Sequence, residues 1–212
     1  MRKILILLVV IILTSAFFAS KRLIMNSENK IEPESEQKLI PAKIPQTDFE
    51  TENIELPEMK NPRIVVKKIM RKLEVFDGDK LIKTYRVGLG FAPVGDKERQ
   101  GDGKTPEGEF FIFTKNDQSK FYLSIGVSYP SMDDAGRGLR ENLISKKQHD
   151  EIVEAIKNKK MPLQNTKLGG EIYIHGNGSS SDWTLGCVAL EDAEMKELFD
   201  AVPIGTSIKI EP

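Results

Sequence analysis

The chain has 212 residues, of which 39% are hydrophobic and 30% charged, and 31 basic residues nearly balance 32 acidic ones. This length suffices for one ordinary domain with additional segments. The balanced charge gives no indication of nucleic-acid binding, so no nucleic-acid partner is expected. The single cysteine excludes an internal disulfide.

The N-terminal segments predict an exported protein with a tethered domain. Two basic residues precede an apolar run within residues 1–25, and two more basic residues close it. This pattern is typical of a signal peptide or a short signal anchor, and it leaves cleavage and anchoring to the inner membrane as alternatives. Residues 26–61 are rich in Glu, Lys, Ser, Gln and Pro, which predicts a disordered linker. We expect a catalytic domain over residues 62–212, located in the periplasm or cell envelope.

The domain is predicted to begin with β-hairpins and to contain few helices. Asp77-Gly78 is a strong turn signal between two of the predicted strands, and Ser145 with Gln148 forms a capping box before an apolar helical stripe. Asp192 is a predicted N-cap of a second helix. The fold class is therefore mainly β with minor α, a β-sandwich or barrel-like core with one or two surface helices. The predicted strands of this part cover residues 64–66, 73–76, 81–87, 110–113 and 208–210.

The stretch over residues 171–192 carries the clearest chemistry. It contains Cys187, the only cysteine, and His175, one of two histidines. β-prone runs at 172–174 and 187–190, separated by a polar loop, predict two strands that bring the thiol and the imidazole together. A neighbouring imidazole can take the proton of a thiol, whose pKa is otherwise about 8.5. Cys187 is therefore a candidate nucleophile and His175 its base, with a small buried hydrophobe as the alternative for the lone cysteine.

Residues beside this pair are candidates for supporting roles. Gly176 and Gly186 flank the reactive positions, where a missing side chain lets a substrate approach, and the amides of Gly186 and Cys187 are candidates for binding an oxyanion. The hydroxyl or carbonyl of Thr184 is a candidate for holding the imidazole in the required tautomer, with loop capping as the alternative. Trp183 is either a wall of a substrate groove or a packing residue.

Two separated motifs resemble one known family. His175 and Gly176 are followed by T-x-G-C-V over residues 184–188, and T-P-x-G-x-F stands earlier, over residues 105–110. In this order the motifs resemble the L,D-transpeptidase catalytic domain, also called the YkuD-like family. The resemblance extends roughly over residues 63–212.

The resemblance implies a β-sandwich-type core and acyl transfer on cell-wall peptides. Cys187 would attack the peptide bond after meso-diaminopimelate in a peptidoglycan stem, a terminal D-amino acid would leave, and an acceptor amine would resolve the thioester. No metal or organic cofactor is required. Ala189 stands where many members have arginine, which leaves the acceptor open. A second stem peptide gives a cross-link, water gives a carboxypeptidase or endopeptidase, and a wall-linked protein would be detached.

Other charged residues carry weaker interpretations. Arg137 and Arg140 are candidates for binding stem-peptide carboxylates, with solvated surface charge as the alternative. His149 is interpreted as an exposed helical residue, and its spacing supports no metal site. A non-catalytic peptidoglycan-binding module that keeps the groove is the alternative from another functional class.

Overall fold

An eight-stranded sheet organises the part of the chain that this computed structural model describes, residues 55–212. The predicted signal segment, and the linker up to residue 54, lie outside the described residues. The strand order in the sheet is β3-β2-β1-β8-β4-β5-β6-β7. The strands are β1 Pro62–Lys67, β2 Lys72–Asp77, β3 Lys80–Arg86, β4 Gly108–Ser119, β5 Tyr122–Val127, β6 Tyr173–His175, β7 Val188–Ala189 and β8 Ser207–Glu211.

The sheet curls until its two ends meet. Its long strand β4 pairs with β8 through its first residues and with β5 through its later ones, so it joins the two halves. Gly88, which follows β3, exchanges hydrogen bonds of 2.9 and 2.8 Å with Ala189 of β7. These bonds connect the first and last strands of the sheet order. The predicted mainly β, barrel-like class is confirmed.

Most strand predictions are confirmed, with one omission. The first three strands, the turn at Asp77-Gly78 and the last strand all form where expected, and Gly78 has a left-handed φ of 59°. The buried strand β5 was not expected. It contains Gly126, an unusual residue inside a strand, and a side chain there would collide with the ring of Phe113, 2.6 Å from the Cβ position.

Residues 55–212 contain three helices: α1 Met132–Arg140, α2 Lys146–Lys157 and α3 Asp192–Ala201. The predicted capping box of α2 is confirmed, because Ser145 Oγ accepts from the Gln148 amide and the Gln148 side chain accepts from the Ser145 amide. The predicted N-cap of α3 is wrong by one residue, since the cap is Glu191 and the helix begins at Asp192. Helix α1 was not predicted, because its sequence contains two glycines and only a short apolar pattern.

The main core lies inside the curled sheet, and α3 covers it with Met195 and Leu198. A smaller apolar cluster joins α1 to α2. Leu56 and Met59 pack against the main core, although the sequence analysis placed both in the linker. Within residues 55–212, no helix has the length and apolar character needed to cross a membrane.

Candidate active site

The strand register puts His175 and Cys187 on one wall of a cleft. Strand β6 ends at His175, and Cys187 immediately precedes β7; the two strands are parallel, with Ile174 opposite Val188. This register sets Cys187 beside Tyr173, and residues two apart on a strand face the same side. Both Cys187 and His175 line a cleft with a volume of about 730 Å³. The two residues singled out from the sequence therefore share one open site.

The imidazole of His175 has a defined orientation and tautomer. Its Nδ1 lies 2.7 Å from the carbonyl oxygen of Gly176. Because a carbonyl oxygen can only accept, the proton of the neutral ring is assigned to Nδ1, and Nε2 keeps its lone pair. Burial lowers the pKa of His175 below its ordinary value of 6.5, and the hydrogen bond to Gly176 opposes this only in part. The ring is therefore neutral at neutral pH, and Nε2 is the atom that can accept a proton.

Two aromatic rings enclose the imidazole. Phe121 stacks on His175 with a centroid distance of 4.6 Å and an interplanar angle of 22°, and Trp183 meets the ring edge-on at 5.5 Å. The indole nitrogen of Trp183 donates to the carbonyl of Gly178 at 3.0 Å, which fixes the indole. Trp183 also lines the cleft, so both interpretations of this residue apply. Phe121 was not singled out from the sequence, because an aromatic residue before a strand has the same pattern as a core residue.

The sulfur of Cys187 contacts two backbone groups, and its thiol has a raised pKa. The Tyr173 amide donates to Sγ at 3.4 Å, and Sγ lies 3.5 Å from the carbonyl oxygen of Glu171. Burial raises the pKa of the thiol; the Tyr173 amide and the Lys97 ammonium oppose the rise, whereas the Glu171 carboxylate adds to it. Among the hydrogen bonds of residues 55–212, none joins Sγ to the His175 ring. The thiol and the imidazole are therefore both neutral in this structure at neutral pH.

The predicted roles of Thr184 and Gly186 are corrected by their contacts. Thr184 Oγ1 donates to the carbonyl of Cys187 at 2.8 Å and accepts from the amide of Gly186 at 3.1 Å. Thr184 therefore shapes the turn before Cys187, as in the loop-capping alternative, and does not hold the His175 ring. The Gly186 amide is already engaged and is not free for an oxyanion, whereas the Cys187 amide donates to no other described residue. Gly186 is required by its φ of 138° and by the carbonyl oxygen of Lys104, 2.7 Å from its Cβ position.

Gly176 acts through its backbone rather than through its missing side chain. Its amide donates to the carbonyl of Leu123 at 3.2 Å, and its own carbonyl accepts from His175. A Cβ at this position would lie 2.4 Å from a carboxylate oxygen of Asp192. The absent side chain therefore makes room for Asp192, and not for a substrate as the sequence analysis expected. The Gly176 carbonyl, and not Thr184, is the group that forms a hydrogen bond with the His175 ring.

The second motif of the resemblance lies against the first. Thr105 Oγ1 accepts from the Gly90 amide at 3.0 Å and lies 3.5 Å from the carbonyl oxygen of Cys187. The carbonyl of Thr105 accepts from the buried ammonium of Lys68 at 2.9 Å. The loop over residues 105–110 therefore supports the turn that carries the thiol.

The two predicted arginines do not reach the cleft. The guanidinium of Arg137 donates to the carbonyls of Lys97 and Glu98 and pairs with Asp134, each at 3.0 Å. These bonds hold α1 to the loop that carries Lys97. Arg140 is exposed on α1, and neither arginine lines the cleft in the described residues, so their binding of substrate carboxylates stays a prediction. Within residues 55–212, no group of three histidine, cysteine or acidic residues is arranged to hold a metal ion.

Comparison with protein families identifies the class of this fold and site. A family model described as the L,D-transpeptidase catalytic domain matches residues 61–210. The chain therefore belongs to this family, named YkuD, as its two motifs indicated.

Solved structures with a similar fold come from several bacteria. The helical cell shape determining protein Pgp2 from Campylobacter jejuni is 21% identical, with a TM-score of 0.49, over 75% of this chain and 51% of that one. Bd1075 from Bdellovibrio bacteriovorus is 24% identical, with a TM-score of 0.47, over 74% and 52% of the two chains. An L,D-transpeptidase from Mycobacterium smegmatis is 11% identical, with a TM-score of 0.43, over 72% and 59%. This chain thus spans about half the length of the first two structures, and no curated protein matches it.

Proposed function

We propose that this protein is a cysteine acyl-transferase that acts on peptidoglycan stem peptides through a thioester on Cys187. Membership of the L,D-transpeptidase family supports the substrate class. The observation that carries the mechanism is the orientation of His175, whose Nδ1 is engaged by Gly176 while Nε2 is left to act as a base. The proposed location, outside the cytoplasm, rests on the sequence of residues 1–25.

The first half-reaction forms the thioester. As Sγ of Cys187 bonds to the carbonyl carbon after meso-diaminopimelate, the thiol proton passes to Nε2 of His175. The carbonyl oxygen becomes an oxyanion, for which the amide of Cys187 is the candidate donor. The bond to the terminal D-amino acid then breaks, and its amine leaves with the proton from Nε2.

The second half-reaction resolves the thioester. An incoming amine gives its proton to Nε2 as its nitrogen bonds to the acyl carbon, and Sγ leaves and regains a proton. With the amine of a second stem peptide the product is a cross-link, and with water it is a trimmed peptide. The reaction up to the thioester is the same with either acceptor. The products that are formed therefore identify the acceptor.

The proposal is tested by incubating the full-length protein, purified in detergent, with stem tetrapeptides and measuring its intact mass. We expect an added mass equal to the tetrapeptide minus its terminal D-amino acid, on Cys187. Cys187→Ala should carry no adduct. An adduct that persists in Cys187→Ala, or the absence of any adduct and product with wild type, would exclude the mechanism.

A second measurement separates catalysis from binding alone. If the protein is only a peptidoglycan-binding module, Cys187→Ser will retain binding to cell-wall sacculi and wild type will release no D-amino acid. We expect wild type to release a terminal D-amino acid from tetrapeptides and His175→Ala to lose this activity by about 10²-fold or more, the range for a general base.

A further inference from the structure

Glu171 places a carboxylate without an ion-pair partner on the wall of the active cleft. The residue is exposed, lines the cleft and precedes β6. Its backbone is fixed in the left-handed region with a φ of 55°, and its amide donates to the Gln164 side chain at 2.7 Å. Its own carbonyl oxygen lies 3.5 Å from Sγ of Cys187. The position of Glu171 beside the thiol is therefore set by the backbone.

No described residue forms an ion pair with this carboxylate, and the two lysines of the cleft are engaged elsewhere. The side chain of Lys97 is 2% exposed and its ammonium pairs with Asp102 at 2.8 Å. The ammonium of Lys120 lies over the ring of Phe121, 5.1 Å from its centroid. Glu171 therefore faces the cleft as an uncompensated negative charge.

This charge opposes the chemistry of the neighbouring thiol. Burial raises the pKa of both Cys187 and Tyr173, and the carboxylate of Glu171, which lines the same cleft as these residues, adds to both increases. A negative charge beside a nucleophile disfavours the thiolate that attack requires. Its effect on the thiol is weakened once a cation from the substrate pairs with it, because opposite charges partly cancel at the sulfur.

We propose that Glu171 binds an ammonium group of the substrate and thereby selects peptides that carry a free side-chain amine. This inference rests on the proposed function, in which the attacked carbonyl belongs to a diamino acid. That residue carries a second amino group at the far end of its flexible side chain, and Glu171 lines the same cleft as the sulfur. Glu171 is then a specificity-determining residue for the ammonium group.

The test measures binding without turnover. Full-length Cys187→Ala protein is titrated with a stem tetrapeptide that has a free diaminopimelate amine, and with the same peptide acetylated at that amine. We expect acetylation to weaken binding by about five- to tenfold, as for a partly desolvated charge pair. In Cys187→Ala combined with Glu171→Gln, this difference should disappear. Combined with Glu154→Gln, an exposed glutamate on α2 away from the cleft, it should remain.

The outcomes distinguish this inference from the proposed function. If the Glu171→Gln protein still prefers the free amine by the same factor, or if neither peptide binds, the assignment of Glu171 is overturned. Formation of the thioester by wild type is measured independently and does not depend on this result. A wild type that forms no thioester, while Glu171→Gln removes the amine preference, would overturn the acyl-transfer mechanism and leave the recognition of the ammonium group intact.

Discussion

His175 donates from Nδ1 to the backbone carbonyl of Gly176, the residue that immediately follows it. The group that orients the imidazole is thus part of the peptide chain and not a side chain. A backbone carbonyl cannot ionise, so it fixes the tautomer without adding a titrating charge to the site. The electrostatics of the pair are then governed by burial and by the charges around Cys187.

The pH dependence of kcat/KM follows from these shifts. His175 must be neutral to accept the proton, and burial lowers its pKa, so activity should be lost only as the pH falls below the ordinary histidine value of about 6.5.

The pKa of Cys187 is raised, so its alkylation by iodoacetamide at neutral pH should be slower than that of free cysteine. An acid limb centred above about 6.5, or alkylation faster than free cysteine, would contradict the neutral state of the imidazole and the thiol.

Phe121→Ala should raise the pKa of His175. The stacked ring of Phe121 excludes water from one face of the imidazole, and its loss makes the charged form easier to hydrate. We expect the NMR titration of His175 to move towards about 6.5 and kcat/KM to fall by about tenfold, since the base is also less well oriented. The other histidine, His149, is an internal reference.

Tyr122→Ala is the matched control for this measurement. Tyr122 follows Phe121, is 45% exposed and lines no part of the cleft. Its substitution should leave the titration of His175 unchanged. Equal shifts in both variants would mean that a general loosening of the β4–β5 connection, rather than the stacked ring, is responsible.

The parts of the fold that could be predicted from the sequence are those with local patterns. Strand alternation and the Asp-Gly turn identified β1 to β3, and the capping box at Ser145 identified α2. Strand β5 and helix α1 were missed because their glycines pack against neighbours that are distant in the sequence: Gly126 against Phe113, and Gly138 against Leu168. Because glycine has no side chain, the sequence does not indicate which residue will pack against it.

Residue types identified the candidate pair in the sequence, whereas the contacts that depend on backbone geometry could not be predicted. Thiol and imidazole are chemically distinctive, so Cys187 and His175 could be singled out without coordinates. Residue types do not indicate which amides are free or which carbonyl oxygen accepts from Nδ1. Both depend on the direction of the backbone. Arg137 was singled out as a substrate-binding candidate, but its guanidinium donates to backbone carbonyls. The sequence alone does not distinguish these two uses of an arginine.

Thr184→Val tests the corrected role of this residue. The valine loses the hydrogen bonds to the Cys187 carbonyl and the Gly186 amide in a buried position, so the free energy of unfolding should fall by about 1–3 kcal/mol. Thr184→Ser keeps the hydroxyl and should restore most of this loss in urea denaturation. The NMR titration of His175 should be the same in all three proteins. A changed pKa of His175 in Thr184→Val alone would instead support the predicted role of Thr184 in holding the imidazole.

Lys97→Met should make the thiol of Cys187 less acidic. The ammonium of Lys97 is fixed by the Asp102 carboxylate at 2.8 Å and by the carbonyl of Arg99 at 3.0 Å, and it lowers the pKa of the thiol against the effect of burial. Without this charge the pKa should rise further. The alkylation profile of Cys187 should therefore move to higher pH, and the rate at a fixed pH should fall several-fold, because only the thiolate reacts.

The matched control separates this charge effect from disruption of the loop. Lys104→Met removes a half-buried lysine of the same loop that lines no part of the cleft, so its alkylation profile should match wild type. Lys97→Met also leaves Asp102 without its ammonium, but the amides of Glu98 and Arg99 still donate to that carboxylate. Loss of one partner of a buried ion pair should lower the free energy of unfolding by about 3–5 kcal/mol, so circular dichroism is used to check that the variant is folded before the measurement. An unchanged alkylation profile in folded Lys97→Met would show that burial and the Tyr173 amide alone set the acidity of the thiol.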